Sequence, residues 1–299
     1  MGYILALTAV ILWSFNLVIA DYFAATLTPF ELAFGRWLIA VVVLLPFTLS
    51  GIIRNYKVLL RHIGLILFLA VFGIVLNNTL IYYAGQTSSA IDMGLLDVTG
   101  PLFIVILSWI WNKAPIKIMQ IIGLLLACWG VVEIVTNGDL QQLGKIKPVV
   151  GNLWMLINCF IFAVYSVLQS RRPKDISQAQ LLEVSAIIGT IIMLPLMLAT
   201  TPKSQLLALN AEEFLVILYL GIANSVIAFL AWNIALNKIG SIKTGVIYYL
   251  MPLFGGIEAH FALGEKLYSS EIIGGIFILA GVICTTIADL KKKSPPARR

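Results

Sequence analysis

The sequence predicts an all-α integral membrane protein with ten transmembrane helices, arranged as two inverted five-helix repeats. Two observations lead to this prediction. First, 60% of the 299 residues are hydrophobic and 11% are charged, with a mean hydropathy of +0.99, whereas roughly a quarter of the residues in soluble domains are charged. Second, the prolines and glycines of the first half recur in the second half at a constant spacing. The composition argues against a soluble enzyme and against a nucleic-acid partner.

Ten apolar segments are long enough to cross the hydrocarbon core, which takes about 20 helical residues. They fall near 3–20, 30–50, 63–83, 88–111, 116–136, 151–170, 179–200, 212–234, 243–263 and 271–289. The first segment lacks the basic region of a signal peptide, so we expect it to be a retained helix. The loops between the segments are short, and no soluble catalytic domain is expected between them.

The second half of the chain repeats the first. An offset of 151 (252 − 101 = 151) places Pro101 on Pro252, and an offset of 149 (195 − 46 = 149) places Pro46 on Pro195. Because five is an odd number of spans, the second unit enters the membrane from the opposite side, as in many transporters. The predicted units are a first repeat at 1–137, a second repeat at 151–290 and a basic cytoplasmic tail at 291–299.

The distribution of Lys and Arg predicts that both termini are cytoplasmic. With the N-terminus inside, fifteen of the 20 bases fall in inside segments, four fall in outside loops, and Arg36 lies within the second span. The positive-inside rule therefore favours an N-in, C-in protein of the inner (plasma) membrane.

The three cysteines predict neither a disulfide nor a metal site. Cys128, Cys159 and Cys284 lie in apolar runs with no CxxC motif and no histidine nearby. We interpret them as packing residues, and we expect no metal and no cofactor.

Several motifs in the chain resemble one family of transporters. They are Trp13-Ser14-Phe15-Asn16, Arg36-Trp37-Leu38-Ile39-Ala40, Pro101, Pro252 and Gly264-Glu265 with the glycines that follow it. They resemble the EamA-type transporters of the drug/metabolite transporter superfamily, in particular the bacterial exporters of aromatic amino acids. Two departures are Lys113-Ala114, where the family usually has Gly-Glu, and Ala20-Asp21, where a basic residue is common. The resemblance implies a secondary transporter of small metabolites, most often an exporter of amino acids.

Arg36 is a base that lies about two turns inside the second predicted span. An ionisable side chain in a spanning helix costs a few kcal/mol, so it requires an explanation. Its guanidinium could hold a substrate carboxylate through two parallel hydrogen bonds. Alternatively, it pairs with Glu31 or Asp97, or extends to the outer interface. Three acids nearer to predicted helix ends are interpreted as interfacial, namely Asp92, Glu133 and Glu183.

Asp97 and Tyr248 occupy equivalent positions in the two repeats. Asp97 lies one turn before Pro101, and Tyr248 lies one turn before Pro252. Proline removes a backbone donor and kinks a helix. We therefore predict that the two side chains face each other near mid-membrane, where inverted-repeat transporters bind substrate. Asp97 could bind an ammonium group or carry a coupling proton, and a salt bridge with Arg36 is the alternative.

The ninth span contains a second acid and a predicted hinge. Glu258 and His260 are two residues apart, about 200° around a helix, so at most one of them points inward. We favour Glu258 as a second candidate for proton coupling. The predicted hinge and kink residues are Pro101, Pro252, Gly255 and Gly256.

Polar and aromatic side chains within the spans complete the predicted substrate site. The full set is Trp13, Asn16, Arg36, Asn77, Asn78, Tyr82, Asp97, Tyr165, Asn224, Trp232 and Tyr248. Interhelical hydrogen bonding or packing is the alternative for each of them. Four tryptophans nearer to predicted ends are interpreted as interfacial belt residues, namely Trp37, Trp109, Trp111 and Trp154. Glycines seven residues apart, Gly123 with Gly130 and Gly274 with Gly281, predict close packing of the fifth and tenth spans.

These observations predict a secondary transporter, expected to be an exporter of amino acids or related amphipathic solutes, that alternates access around a central cavity. The alternatives are an exporter of nucleosides, quaternary amines or drug-like cations, a channel, or a membrane sensor. An enzyme is not expected, since no HExxH, paired-histidine or Ser-Lys constellation is present. The expected partners are one small-molecule substrate and the lipid bilayer, and the expected state is a monomer.

Overall fold

A computed structural model describes residues 1–88, 90–97, 99–113, 116–136, 138–145, 149–201, 209–255, 257 and 269–290. Within these ranges every regular element is helical, in agreement with the predicted class. The α-helices are α1 (Gly2–Trp13), α2 (Asn16–Tyr22), α3 (Pro29–Arg54), α4 (Tyr56–Arg61), α5 (Ile63–Leu69), α6 (Asn77–Gly85), α7 (Ala90–Asp97), α8 (Thr99–Asn112), α9 (Ile118–Val135), α10 (Val150–Gln169), α11 (Gln178–Thr200), α12 (Ala211–Tyr219), α13 (Phe229–Ile239), α14 (Ser241–Tyr248) and α15 (Ser269–Leu290). Other helical pieces are the π segments Ala70–Leu76 and Leu220–Ala228, the 3₁₀ segments Phe23–Ala25 and Leu140–Lys145, and a short segment at 251–255.

Seven helical stretches within the described residues are long and apolar enough to cross a membrane. They are Pro29–Arg54, Ile63–Gly85, Asp92–Trp111, Ile118–Val135, Val150–Gln169, Gln178–Thr200 and Ala211–Ile239. Two shorter helices, Gly2–Trp13 and Ile272–Thr285, are also apolar. The chain is therefore a multi-pass membrane protein.

The longest helices begin with side-chain caps at equivalent positions of the two halves. Thr28 and Glu31 form a capping box at the start of α3, and Ser177 and Gln180 form one at the start of α11. Each box satisfies backbone donors that the first turn leaves unpaired. The 149 offset relates Thr28 to Ser177, so the two helices start by the same local chemistry.

The predicted first helix is broken in its middle. The sequence predicts one span over 3–20, but α1 ends at Trp13 and α2 begins at Asn16 after a turn. A break inside a membrane protein leaves carbonyl groups that need donors from other helices. Tyr219 provides one such donor, because its hydroxyl donates to the carbonyl of Leu12 at 2.8 Å.

Two π segments interrupt the third and eighth predicted spans at equivalent positions. Ala70–Leu76 lies between α5 and α6, and Leu220–Ala228 lies between α12 and α13. The 151 offset carries 70–76 onto 221–227, inside the second segment. π geometry widens the backbone turn and is often found next to functional sites. Both segments lead directly into helices that line the central cavity described below.

Helix contacts also occur in equivalent pairs. α1 packs against α13 and α14, and α10 packs against their counterparts α6 and α7. In the same way, α3 packs against the second π segment and α11 against the first. Two contacts join a helix to its own counterpart, α3 with α11 and α9 with α15.

Glycines hold α9 and α15 close together, as predicted. A Cβ atom at Gly123 would clash with the carbonyl oxygen of Gly281, and one at Gly130 would clash with that of Gly274. The two backbones are therefore in contact at both glycine pairs, and any side chain larger than hydrogen would prevent this contact.

The structure corrects two predictions of interfacial position. Trp37 is 0% exposed and packs edge-on against Phe229, with ring centroids 5.1 Å apart. Glu183 is also 0% exposed. Trp37 lies about two turns from the start of α3 and Glu183 about one and a half turns from the start of α11, so the position of each along its helix was compatible with the interface. The helix face that each occupies nevertheless points into the protein.

Several predicted features lie outside the described residues. They are Glu258, Gly256, the Gly264-Glu265 pair and the basic tail at 291–299.

The glycine contacts predict a strong effect of one added methyl group. Gly130→Ala should lower the midpoint of thermal unfolding, because overpacking a tight contact costs about 1–3 kcal/mol. The matched control is Gly64→Ala, since nothing lies within 4 Å of a Cβ at Gly64. Thermal unfolding of the purified variants in detergent measures the difference. Equal midpoints for the two variants would contradict the proposed backbone contact.

Candidate functional site

A cavity lies at the centre of the bundle, where both halves of the chain contribute helices. The space between the atoms that line it is about 520 Å³, including any part that is open to solvent. The lining residues are Trp13, Asn16, Arg36, Asn77, Asn78, Ile81, Asp97, Gly100, Asn158, Cys159, Phe162, Phe229, Tyr248 and Met251. Seven of the eleven predicted substrate-binding residues are among them.

Arg36 is a buried base on the wall of this cavity. It is 1% exposed, its Nε donates to the Ser225 hydroxyl at 2.8 Å, and one Nη donates to the Tyr82 hydroxyl at 2.9 Å. Tyr82 in turn donates to the side-chain oxygen of Asn16 at 3.4 Å. These contacts fix the guanidinium, and no acid among the described residues lies close enough to form an ion pair with it.

Asp97 is a buried acid on the same wall. Its Oδ1 accepts a hydrogen bond from the Tyr248 hydroxyl at 3.4 Å and a weaker one from the Cys159 thiol at 3.6 Å. The predicted proximity of Asp97 and Tyr248 is therefore observed. Cys159 does more than the predicted packing, because it lines the cavity and contacts the acid.

Arg36 and Asp97 do not pair with each other. Within the described part of the chain, the ion pair found is the one between His62 and Asp175, at 3.8 Å. Glu31, the other proposed partner of Arg36, accepts from the backbone N–H of Thr28 at 2.7 Å and so serves as a helix cap. The internal salt bridges considered for Arg36 are thus not formed.

Side-chain amides form a polar strip along one side of the cavity. Asn77 donates to the side-chain oxygen of Asn158 at 3.1 Å. Asn78 donates to the carbonyls of Gly73 and Ile74 at 3.0 and 2.9 Å, within the first π segment. Asn78 therefore satisfies backbone groups that the π geometry leaves available.

An aromatic cluster forms another part of the cavity lining. The Trp13 ring lies 5.7 Å from Phe162, 5.2 Å from Phe229 and 6.4 Å from Tyr248, measured between ring centroids. These are edge-on contacts of the kind that aromatic pairs favour. The cavity thus combines a charged and polar side with a flat apolar side.

Three predicted residues support the site from behind. Tyr82 contacts Arg36, as described above. Trp232 is fully buried, lies 5.4 Å from the Trp13 ring and donates its indole N–H to Ser166 at 3.1 Å. The carbonyl of Asn224, in the second π segment, accepts from the Trp13 indole at 3.0 Å. The side-chain amide of Asn224 has no hydrogen-bond partner among the described residues.

Tyr165 lies in a second, smaller cavity of about 170 Å³. Its hydroxyl donates to the side-chain oxygen of Asn233 at 2.9 Å, and Ser185 lines the same space. The repeat offsets relate this trio, Tyr165, Asn233 and Ser185, to Asn16, Tyr82 and Arg36. The second cavity is therefore the counterpart of the Arg36 cluster, with a neutral serine in place of the base.

The predicted hinge residues lie beside the central cavity where they are described. Asp97 ends α7, and Pro101 follows in the first turn of α8. Pro252 and Gly255 lie in the short helical segment at 251–255, and a Cβ at Gly255 would lie 3.8 Å from the Ser14 carbonyl. This segment therefore packs next to the break between α1 and α2.

Comparison with known proteins identifies the family. The sequence profile of the EamA-like transporter family matches residues 1–136 and, a second time, residues 149–287. The chain belongs to the EamA-like transporter family. A protein of Archaeoglobus fulgidus named an uncharacterized transporter is 31% identical over 285 residues, which cover 95% of this chain and 96% of that protein. The uncharacterized transporter YyaM of Bacillus subtilis is 25% identical over 271 residues, covering 90% and 88% of the two chains.

A solved crystal structure shows the same fold as this EamA-like transporter. The two superpose with a TM-score of 0.78 at 20% sequence identity, over 98% of this chain and 99% of the other. The family and the relatives support a membrane transporter.

The cavity of this EamA-like transporter is also lined by residues that the sequence analysis did not assign to the site. They are Ile81, Gly100, Asn158, Cys159, Phe162, Phe229 and Met251. Asn158 gave one usable signal, since a buried amide in an apolar helix needs a partner. The others are apolar or small, and nothing in an almost uniformly apolar helix distinguishes a cavity-facing side from a lipid-facing one. No group of His, Cys, Asp and Glu suited to a metal ion occurs within the described ranges.

The hydrogen bond from Arg36 to Tyr82 predicts an effect on stability. Tyr82→Phe should lower the unfolding midpoint, because loss of a buried acceptor beside a charged donor costs about 1–3 kcal/mol. Tyr83→Phe is the control, since Tyr83 contacts Phe30 and Trp154 through its ring. Thermal unfolding in detergent compares the two. A Tyr82→Phe midpoint equal to that of wild type would show that the bond does not stabilise the fold.

Proposed function

We infer that this protein is a secondary transporter of small zwitterionic solutes, with amino acids as the substrate class and the central cavity as the binding site. One observation supports this inference above the others. Arg36 and Asp97 line the same buried cavity and neither has an ionic partner among the described residues. Buried charges in proteins are normally paired, so two separate and opposite charges favour a ligand that carries both complements.

Arg36 is suited to a carboxylate. Ser225 and Tyr82 accept from two of the five N–H donors of its guanidinium. The remaining donors can form the charge-assisted, two-point contact that arginine makes with carboxylates. Because Ser225 and Tyr82 already hold the side chain, little rotamer freedom would be lost on binding.

Asp97 is suited to an ammonium group. The Tyr248 hydroxyl and the Cys159 thiol both donate to Oδ1, which leaves Oδ2 available for a cationic ligand. In an α-amino acid both charged groups are attached to the α-carbon, and the aromatic rings of Trp13 and Phe162 would contact the side chain that extends from it. An aromatic or large aliphatic amino acid satisfies all three surfaces.

Other substrate classes use this cavity less well. A quaternary amine or drug-like cation would pair with Asp97 but would bring a second positive charge close to Arg36. A nucleoside would leave both charges without a counter-ion. Desolvating either charge unpaired is costly, so these ligands are disfavoured.

We further propose ten spans in two inverted repeats at 1–137 and 151–290, both termini cytoplasmic, in a monomer of the plasma membrane. The equivalent helix contacts and the two π segments support the repeat. Alternating access then requires the two units to rearrange around the shared cavity. Flux through proteoliposomes that saturates with substrate and shows counterflow supports this carrier mechanism. An unsaturable, ohmic current would support a channel instead.

The two charges predict how substitutions change ligand preference. Wild-type protein should be stabilised against heat by L-phenylalanine more than by phenethylamine or 3-phenylpropionate, which lack one charge each. Arg36→Gln should weaken L-phenylalanine binding by at least about 30-fold, since truncating one member of a buried charge pair costs about 2–5 kcal/mol. Asp97→Asn should do the same. A thermal-shift titration of purified protein measures these affinities.

The control for this titration is Tyr165→Phe, because Tyr165 lies in the second cavity. It should leave all three affinities near those of wild type. Each charge variant should also keep its affinity for one analogue. Arg36→Gln should still bind phenethylamine, which has no carboxylate, and Asp97→Asn should still bind 3-phenylpropionate, which has no ammonium group. Wild-type affinity for L-phenylalanine in both charge variants would rule out the zwitterion site.

A further inference from the structure

Glu183 is a buried acid that the central cavity does not use. It lies in α11, is 0% exposed, and neither carboxyl oxygen has a hydrogen-bond partner among the described residues. No base within the described ranges forms an ion pair with it. A carboxyl group in this position requires a separate explanation.

Glu183 lies along the contact between α3 and α11. The two helices run antiparallel, since the Thr28 and Thr201 hydroxyls are 3.3 Å apart at one end and Asn55 donates to the Gln180 side chain at 3.3 Å near the other. Glu183 is one turn from Gln180 and therefore lies near the Asn55 end. The count of Lys and Arg predicts that this end is cytoplasmic.

The face of α11 that carries Glu183 is directed toward α3. Gln180 is three residues earlier on that face, and its side chain occupies the position where a Cβ at Gly51 of α3 would be. Thr190, two turns later on the same face, is also buried, with a hydroxyl that has no described partner. At about the depth of Glu183, Thr48 of α3 donates to the carbonyl of its own helix at Leu44, at 3.1 Å. The Thr48 hydroxyl is therefore bonded within α3 and does not donate to Glu183.

Charged groups on the neighbouring elements do not neutralise Glu183 either. α5 and the first π segment, which pack against α11, contain no ionisable residue. α3 contributes Glu31, which caps its own helix, Arg36, which lines the central cavity, and Arg54, which is exposed at the helix end. α13 contributes Lys238, which is exposed.

Asp97 accepts hydrogen bonds from Tyr248 and Cys159, whereas Glu183 has no described donor, so an ionised carboxylate at Glu183 would be unpaired inside a membrane protein, at a cost of several kcal/mol. The neutral acid avoids most of that cost. We propose that Glu183 is a proton-binding site, occupied while α3 and α11 are packed together and emptied into water when they separate. The role in transport rests on the function proposed above, because α3 and α11 belong to different repeats and alternating access moves the repeats apart.

The repeat places the site in one half only. The 149 offset relates Glu183 to Phe34, an apolar residue that packs against the core. One proton therefore binds per molecule at this interface, near the predicted cytoplasmic end. Glu183 is about 8 Å along the axis from the start of α11, at 1.5 Å per residue.

Infrared spectroscopy tests the site without any substrate. At neutral pH, the difference spectrum between wild type and Glu183→Gln should contain the C=O stretching band of one protonated carboxylic acid. Because the glutamine side chain has nearly the same shape and is neutral, Glu183→Gln should fold. If Glu183→Gln does not fold, Glu183→Asp is the second variant, and it should retain the band of a protonated acid. The matched control is Glu213→Gln, because the Glu213 carboxylate accepts from the Asn210 backbone at 2.9 Å and should appear as a carboxylate. Loss of only carboxylate bands in Glu183→Gln would overturn the proposal.

Transport tests the coupling, with L-phenylalanine as the probe. In proteoliposomes, Glu183→Gln should keep the exchange of labelled for unlabelled L-phenylalanine, but accumulation driven by a pH gradient should fall to the level seen without a gradient. Gradient-driven accumulation that survives in Glu183→Gln, or is absent from wild type, would overturn the coupling role. Absence of exchange in wild type would instead contradict the proposed substrate, while the infrared result still decides the proton site.

Discussion

The absence of water from the bilayer core determines much of this structure. Backbone polar groups there must find partners within the protein, so the spans are helical and irregular backbone is confined to the protein interior. The two π segments illustrate this constraint. Asn78 donates to carbonyls of the first, and the Trp13 indole donates to a carbonyl of the second. Both donors line the central cavity, so the side chains that form the site also stabilise the irregular backbone beside it.

The two repeats keep the same packing but differ in chemistry. Two pairs of glycines hold α9 and α15 together, at positions where the two backbones are too close for a larger residue. The polar clusters are different: Arg36 with Tyr82 in one half corresponds to Ser185 with Asn233 in the other. Charge therefore lies on one side of an otherwise symmetric bundle. This arrangement suits the zwitterionic substrate proposed above, because a symmetric site would present the same groups to the carboxylate and to the ammonium.

The sequence predicted the all-helical membrane class and most of the charged and polar residues that line the cavity. Polar residues in an apolar helix are conspicuous, and the proline kinks placed Asp97 and Tyr248 at matching depths. The aromatic and aliphatic wall, including Phe162 and Phe229, could not be recognised because an apolar side chain suits lipid, core and cavity equally. Glu183 and Trp37 were misplaced for a related reason. The sequence gives depth along a helix well, but the rotational position about its axis depends on which neighbours pack there.

The charges inside the bundle also bear on the energetics of a transport cycle. The zwitterion proposed as substrate would add one negative group at Arg36 and one positive group at Asp97, so the loaded and empty cavities would have the same net charge. The membrane potential then contributes the same free energy to the conformational change with and without substrate. A proton at Glu183 is the charge that differs between packed and separated states of α3 and α11. Substrate selection and response to a proton gradient would therefore reside in different residues, about three helical turns apart along the α3–α11 contact. Such separation allows the specificity of the cavity to change without altering the coupling.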